Sequence, residues 1–123
     1  MPAPSWLILA WSAFVATCAA AMTGALLGGS APATWSLLPQ ARGAARALAG
    51  TAALGLVLYP VLYALVFEVA GRADATLGLL LGAVHALAAL LAAGPRRRTR
   101  AAFRVAAMHF TYAVTLSFLY VTP

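Results

Sequence analysis

The sequence has too few charged residues to cover a soluble fold. Only 8% of its 123 residues are charged; lysine is absent, and two acidic residues accompany eight arginines. Ordinary soluble domains are about one quarter charged and about half apolar, whereas this chain is 64% hydrophobic with a mean hydropathy of +0.94. A chain this short exposes a large share of its surface. The composition therefore excludes a water-soluble globule and requires that apolar surface faces lipid.

Cysteine pairs and catalytic motifs are also lacking. The one cysteine, Cys18, lies in an apolar run, so no intramolecular disulfide is possible and packing must hold the fold. The sequence contains no paired carboxylates, no Ser-His-Asp arrangement, no glycine-rich phosphate loop and no nucleotide motif. We therefore expect a non-catalytic protein.

What the sequence does have is four long apolar runs, at 5–28, 45–70, 73–93 and 101–121. A helix needs about 20 residues to cross a hydrocarbon core of about 30 Å. The runs are continuous, whereas membrane β-barrels show alternating polarity. The first run follows no basic residue, so we interpret it as a mature helix and not as a removable signal peptide. The sequence predicts an all-α polytopic membrane protein, with residues 1–123 forming a single transmembrane domain, a four-transmembrane-helix bundle.

The arginines predict the orientation of this bundle. The first loop (about 29–44), the third loop (94–100) and the helix starts just beyond them hold seven of the eight arginines. Short basic loops stay in the cytoplasm, so both termini and the turn at Arg72 are expected outside. An arginine-only, alanine-rich composition is typical of a GC-rich bacterium, which suggests the bacterial cytoplasmic (inner) membrane. The predicted cytoplasmic anchor is Arg96, Arg97, Arg98, Arg100 and Arg104.

The same arginines bear on possible partners. A basic cluster at the membrane surface attracts anionic lipid headgroups. A seven-residue loop cannot form the ordered platform that nucleic-acid binding needs, so no nucleic acid is expected. The expected partners are the lipid bilayer and other membrane subunits or a second copy of the chain.

The outer turn carries the two acidic residues. Glu68 and Arg72 are four apart and can form an ion pair if the helix continues that far. Asp74 can cap the start of the third helix. These three residues are predicted to fix the turn, and the alternative is an acidic cation site.

Small residues mark the packing faces. Gly24 and Gly28 in the first helix, and Gly78 and Gly82 in the third, each form a Gly-x-x-x-Gly motif, which allows helix backbones to approach closely in lipid. The two stripes suggest that these helices contact each other. The likeness of residues 24–28 to residues 78–82 also leaves open an old two-helix duplication.

The second helix is interrupted by Pro60. Proline cannot donate a hydrogen bond to the carbonyl of Leu56, so a kink is expected near mid-span. Tyr59 and Tyr63 lie beside it. Two interpretations remain open: a hinge or gate, or a packed kink whose tyrosines bond to neighbouring backbone.

Two histidines are predicted at mid-membrane. His85 precedes Gly94 by nine residues and His109 follows Arg100 by nine, which places each about 14 Å from the cytoplasmic rim. Ionisable residues at this depth are functional candidates by default. Tyr112 shares a helix face with His109 and could hydrogen-bond to it. No carboxylate reaches this depth, so both imidazoles are expected to be neutral at pH 7.

Several roles for the histidine pair remain open. Haem b ligation is one of these roles, but it needs a wider gap than the about 8–10 Å between helices joined by a short loop. A metal needs three or four ligands, and only Cys18 or Tyr112 could join the pair. A proton or solute relay is the third role. The fourth is structural, in which hydrogen-bonded histidines lock the third helix to the fourth. We predict no cofactor and no metal.

Three short runs resemble a known type of sequence. These are residues 21–23, Gly78-Leu-Leu-Leu-Gly-Ala-Val-His85 and His109-Phe-Thr-Tyr-Ala-Val114. They resemble small uncharacterised bacterial four-helix integral membrane proteins with Gly-x-x-x-Gly-x-x-His and His-x-x-Tyr helices. In this chain Ala113 stands where that group has glycine. The resemblance implies the four-helix fold and the histidine placement, and it implies no activity.

Two functions of different classes follow from the sequence. The first is a non-catalytic accessory or scaffold subunit that packs within a larger membrane assembly or a homo-oligomer. The second is a small transporter or channel protomer with a mid-membrane His/Tyr polar path, which would require an oligomer because four short helices enclose little volume.

Overall fold

In the computed structural model, helices are the only regular secondary structure of the described residues, which are 5–29, 31–38, 41–93 and 99–121. Four membrane-length segments dominate: α1 (Trp6–Gly28), a second span at Ala44–Ala70, α5 (Ala75–Ala93) and α6 (Thr99–Val121). The short helix α2 (Pro32–Trp35) follows α1. Each predicted span agrees with an observed helix to within two residues at either end, and the predicted all-α fold with four membrane-spanning helices is confirmed.

The second span is not a uniform α-helix. It consists of α3 (Ala44–Ala52), a π-helical turn (Ala53–Leu58) and α4 (Tyr59–Ala70). In the π turn, the backbone N–H of Tyr59 donates to the carbonyl of Leu54, five residues earlier. The wider turn lies directly before Pro60, whose ring would otherwise press on the carbonyl four residues earlier. The predicted disruption at Pro60 therefore takes the form of a π-helical turn.

Local capping explains where the spans begin and end. Ser5 caps α1 through its Oγ, which accepts from the Ile8 N–H at 3.4 Å. The second span ends because Gly71 adopts a left-handed conformation, with φ at 64°. The Asp74 carboxylate then accepts from the Leu77 N–H at 2.7 Å and caps α5, as the sequence predicts.

The Glu68–Arg72 ion pair requires a helix that continues to Arg72, and this condition is not met. The helix stops at Ala70, so Arg72 lies outside it and turns to Asp74 instead, at 3.4 Å between Nε and Oδ2. Both partners of this ion pair are substantially exposed, so it contributes little to stability.

The Asp74 cap gives a first testable prediction. Asp74→Ala should destabilise the protein by about 1 kcal/mol, because α5 loses its N-cap. The measurement is equilibrium unfolding in mixed detergent micelles. The control is Glu68→Ala, which removes the other acidic residue of the turn. Glu68 is exposed, so this substitution should leave the free energy of unfolding unchanged. Equal losses of stability in both variants would show that the charge of the turn, and not the cap, is responsible.

The helices surround a core in which α6 is central. It packs along both α1 and α5, while the second span packs against α1. Gly24 lies against Met108, Gly78 against Ser117 and Gly82 against Phe110, all on α6. The two glycine stripes therefore face α6, and not each other. The backbones of the second span and α5 stay apart, which leaves the bundle open on that side.

The chain after α1 folds back into the bundle. Leu37 is fully buried, and its N–H donates to Thr51 Oγ1 at 3.0 Å. The Ser36 hydroxyl donates to the Ala47 carbonyl at 3.2 Å. The first loop, which looks featureless in the sequence, thus contributes a short segment, residues 36–38, that packs against the first turns of the second span. We call this segment the wedge.

The described arginines are divided between the two ends. Arg42 lies just before α3, and Arg46 and Arg100 lie in the first turns of α3 and α6. These three arginines are exposed, and Arg104 lies beside Gly28. We call this the Arg-rich end, and we call the end at residues 71–74 the turn end. Arg96, Arg97 and Arg98 of the predicted anchor lie outside the described residues.

Candidate functional site: a histidine–tyrosine cluster between the spans

Five aromatic side chains from α4, α5 and α6 meet inside the bundle. They form the His/Tyr cluster, consisting of Tyr59, Tyr63, His85, His109 and Tyr112. The imidazole ring centres lie 5.0 Å apart and nearly perpendicular. The Tyr59 ring packs edge-on against His85 at 4.4 Å. The structure thus brings together the three predicted mid-membrane residues and adds the two tyrosines that flank Pro60.

The hydrogen bonds of His109 fix its tautomer. Its Nδ1 lies 2.9 Å from the Val105 carbonyl, which only accepts, so Nδ1 carries the proton. Nε2 is then an acceptor in the neutral ring, and the Tyr59 hydroxyl donates to it at 3.2 Å. Both nitrogens of His109 are engaged, and the residue is 3% exposed.

His85 is bonded on one side only. Its Nδ1 lies 3.2 Å from the Tyr63 hydroxyl. Within the part of the chain that the structure describes, its Nε2 has no hydrogen-bond partner and is not sealed in the core. The interpretation in which Tyr59 and Tyr63 bond to neighbouring backbone is wrong, because each binds a histidine.

Tyr112 does not form the hydrogen bond to His109 that their shared helix face would allow. Its hydroxyl donates to the carbonyl of Gly55 at 2.5 Å, and the side chain is fully buried. In an α-helix the Gly55 carbonyl would receive the Tyr59 N–H, but the π turn gives that N–H to Leu54. The residue five positions on is Pro60, which has no N–H. Tyr112 therefore satisfies a carbonyl that the second span leaves without a backbone donor.

The Gly55 end of this contact lies in a crowded part of the bundle. A Cβ at position 55 would collide with the Thr17 hydroxyl on α1 and press on Leu37. The sequence signal for this contact is a glycine five residues before a proline in a span, but it does not identify the distant hydroxyl donor.

The pair does not fit a bis-histidine haem. Such a haem places a porphyrin plane between two axial imidazoles, and ring centres 5.0 Å apart leave no room for one. Both nitrogens of His109 are also taken. Among the residues that the structure describes, no three side chains of His, Cys, Asp or Glu lie close enough to hold a metal ion.

A cavity lies beside the cluster, between the second span and α5. Its volume is about 440 Å³, and its walls include Tyr59, Tyr63, His85 and the alanines of the last turns of α5. Leu38, from the wedge after α1, lines it as well. The cavity exists because these consecutive spans do not pack backbone to backbone.

Substitution of His109 measures how far the cluster stabilises the bundle. His109→Leu should cost about 1 kcal/mol, because the Tyr59 hydroxyl loses its acceptor but can turn towards the cavity. His109→Gln keeps a donor and an acceptor and should cost less. Unfolding in mixed micelles measures both; a glutamine variant as unstable as the leucine variant would show that ring shape matters and not hydrogen bonding.

Fold and cluster together define the class: an all-α protein with four helices long and apolar enough to span a membrane, and with a hydrogen-bonded His/Tyr cluster between three of them. Comparison of the chain with protein-family models, with curated proteins and with solved structures finds no match.

Proposed function

We propose that the protein is a non-catalytic accessory or scaffold subunit that acts by lateral association within the bilayer, in a larger membrane assembly or a homo-oligomer. The observation that carries this proposal is the confinement of the His/Tyr cluster to one layer. Towards the turn end, Phe67 and Leu116 are fully buried beyond it, and the buried Ser117 hydroxyl at that level has no hydrogen-bond partner among the described residues. The cluster therefore links helices and does not continue as a polar path towards that end.

The outer surface supports the same proposal. Every span presents large apolar side chains outward, and some are almost completely exposed, including Leu26 at 85% and Val69 at 89%. Few described residues lie outside the helices, so recognition of a partner would take place mainly within the membrane. In lipid, such contacts depend on packing and on weak interhelical hydrogen bonds.

Site-specific photo-crosslinking tests this function. A photoreactive residue is placed at one exposed position per span, at Leu26, Leu65, Leu80 and Phe118, with buried Leu116 as the control. We expect a discrete crosslinked product from one face, and native mass spectrometry of the purified full chain should show an assembly larger than one copy. A single copy, with crosslinks to lipid from every face, would contradict the proposal.

The transporter or channel is the second candidate, and the cavity favours it. The cavity extends from Leu38, which follows α2, to His85. It therefore connects a polar side chain of the cluster with the Arg-rich end of the bundle. Proteoliposomes loaded with a pH dye distinguish the two functions. Under the accessory function, proton flux equals that of empty vesicles; flux that is lost in His85→Gln would establish the second candidate instead.

We further propose that the protein lies in the bacterial cytoplasmic membrane with the Arg-rich end inside and the turn end outside, because short basic loops remain in the cytoplasm. In a Cys18→Ser background, Ala70→Cys should react with a membrane-impermeant thiol reagent in intact cells, and Ala45→Cys should react only after permeabilisation. Both positions are exposed on the protein. The reverse pattern would invert the orientation.

A further inference from the structure

The cavity between the second span and α5 has the form of a small-molecule site. Its volume of about 440 Å³ falls within the range of about 300–1,000 Å³ that such sites occupy. Along α5 its lining extends from His85 to Ala92, seven residues or about 10 Å. Its deep end therefore lies at the His/Tyr cluster.

His85 supplies a hydrogen-bond donor at this deep end. Tyr63 is only 7% exposed, and among the described residues its hydroxyl has no acceptor other than the His85 Nδ1. Because a buried hydroxyl donates where it can, we assign Tyr63 as the donor to Nδ1, which places the ring proton of neutral His85 on Nε2. This N–H has no partner among the described residues, and His85 lines the cavity.

The other walls restrict what can bind there. The side chains that line the cavity include no Arg, Asp or Glu, so a charged ligand would lie unpaired in a low-dielectric environment. Ala88, Ala89 and Ala92 form one wall without protruding side chains, and Tyr59 and Tyr63 stand on the other side. A flat, neutral group suits walls of alanine methyl groups and tyrosine rings, and the open side between the spans allows a tail to remain in lipid.

We propose that this cavity binds a membrane-soluble quinone, with one quinone carbonyl oxygen accepting a hydrogen bond from the Nε2–H of His85. The quinone class combines the three required properties: a flat ring, no charge, and a carbonyl acceptor on a lipid-soluble molecule. The proposal concerns binding alone, and the quinone keeps its oxidation state. It does not depend on whether the protein is an accessory subunit.

The test uses a benzoquinone with a decyl tail, titrated calorimetrically into the full chain in lipid nanodiscs. We expect saturable binding of one molecule per chain. His85→Phe keeps a ring but removes the donor and should weaken binding about tenfold. Ala88→Phe fills the cavity from its alanine wall, leaves the cluster intact and should abolish binding. Ala83→Phe, at an exposed position of α5 that does not line the cavity, is the matched control and should bind normally.

A second probe and a site-specific signal complete the test. Decylbenzene has a ring and the same tail but no carbonyl, and it should bind at least tenfold more weakly. In ¹⁵N-histidine spectra, the quinone should shift the Nε2 signal of His85 more than that of His109, which also borders the cavity but whose Nε2 accepts from the Tyr59 hydroxyl.

Three outcomes would overturn the proposal. Equal binding of decylbenzene would identify the cavity as a groove for hydrocarbon chains. Unchanged quinone binding in folded Ala88→Phe would place the ligand elsewhere. Dissociation of an oligomer by Ala88→Phe, without quinone binding to the wild type, would show that a helix of a second copy occupies the groove.

Discussion

Gly24→Leu should destabilise the protein by about 3 kcal/mol, the largest loss that we expect from a single substitution. A Cβ at position 24 would collide with the carbonyl oxygen of Thr34 and with the thioether of Met108. The Met108 side chain can bend, but the Thr34 oxygen belongs to the backbone of α2. Overpacking of a tight contact costs about 1–3 kcal/mol and occasionally more; α1 must therefore separate from α6 or displace the segment that follows it.

Two further substitutions control for the size of the added side chain. Ala10→Leu adds a similar bulk to the exposed face of α1 and should leave the unfolding midpoint in mixed micelles unchanged. Gly82→Leu should cost about 1 kcal/mol, because its nearest neighbour is the ring of Phe110, which is 39% exposed and can swing towards lipid. If Gly24→Leu and Ala10→Leu unfold at the same midpoint, α1 does not pack on α6 through Gly24.

The spans could be predicted because the bilayer acts on each of them separately. A continuous apolar run of about 20 residues satisfies its own backbone hydrogen bonds only as a helix, so α1, α5 and α6 follow from hydropathy alone. The equal depth of His85 and His109 follows from counting residues, and their rings do meet. These inferences need no knowledge of which helices are neighbours.

The helix neighbours could not be predicted, because all four spans are similarly apolar. The glycine stripes correctly identify close-packed faces, but a glycine accepts any partner that approaches closely. Their partner is α6, whose Met108, Phe110 and Ser117 carry no comparable motif. The Gly-x-x-x-Gly spacing reports that backbones approach and leaves the partner helix undetermined.

The partners of the tyrosines were missed because of the π turn. Such a turn holds more residues than an α turn, so it rotates Tyr59 and Tyr63 relative to Ala47 and Thr51 on α3. A helical wheel drawn at 3.6 residues per turn through Ala53–Leu58 therefore gives the wrong face. The rotation directs both hydroxyls to the histidines. The hydrogen bonding of the π turn, in which the Tyr59 N–H donates to Leu54, also leaves the carbonyl of Gly55 without a backbone donor.

Tyr112→Phe should destabilise the protein by about 2 kcal/mol, because it leaves that carbonyl buried without a donor. The expected cost exceeds that of His109→Leu, since Tyr112 is fully buried and a phenylalanine in its place would leave the Gly55 carbonyl no access to the cavity. Mixed-micelle unfolding gives the loss, and a phenyl ring of almost the same shape rules out a packing defect as its cause.

A double-mutant cycle with Pro60 tests the physical reason for this loss. Pro60→Ala restores an N–H at position 60 and removes the ring that disfavours an α turn, so the Tyr59 N–H can return to the Gly55 carbonyl. In this background the carbonyl no longer depends on the hydroxyl of Tyr112, and Tyr112→Phe should cost less than about 1 kcal/mol. The coupling between the two positions, about 1 kcal/mol or more, is the quantity to measure. If Tyr112→Phe costs the same in both backgrounds, the hydroxyl is not compensating for the π turn, and its bond to Gly55 is an ordinary tertiary contact.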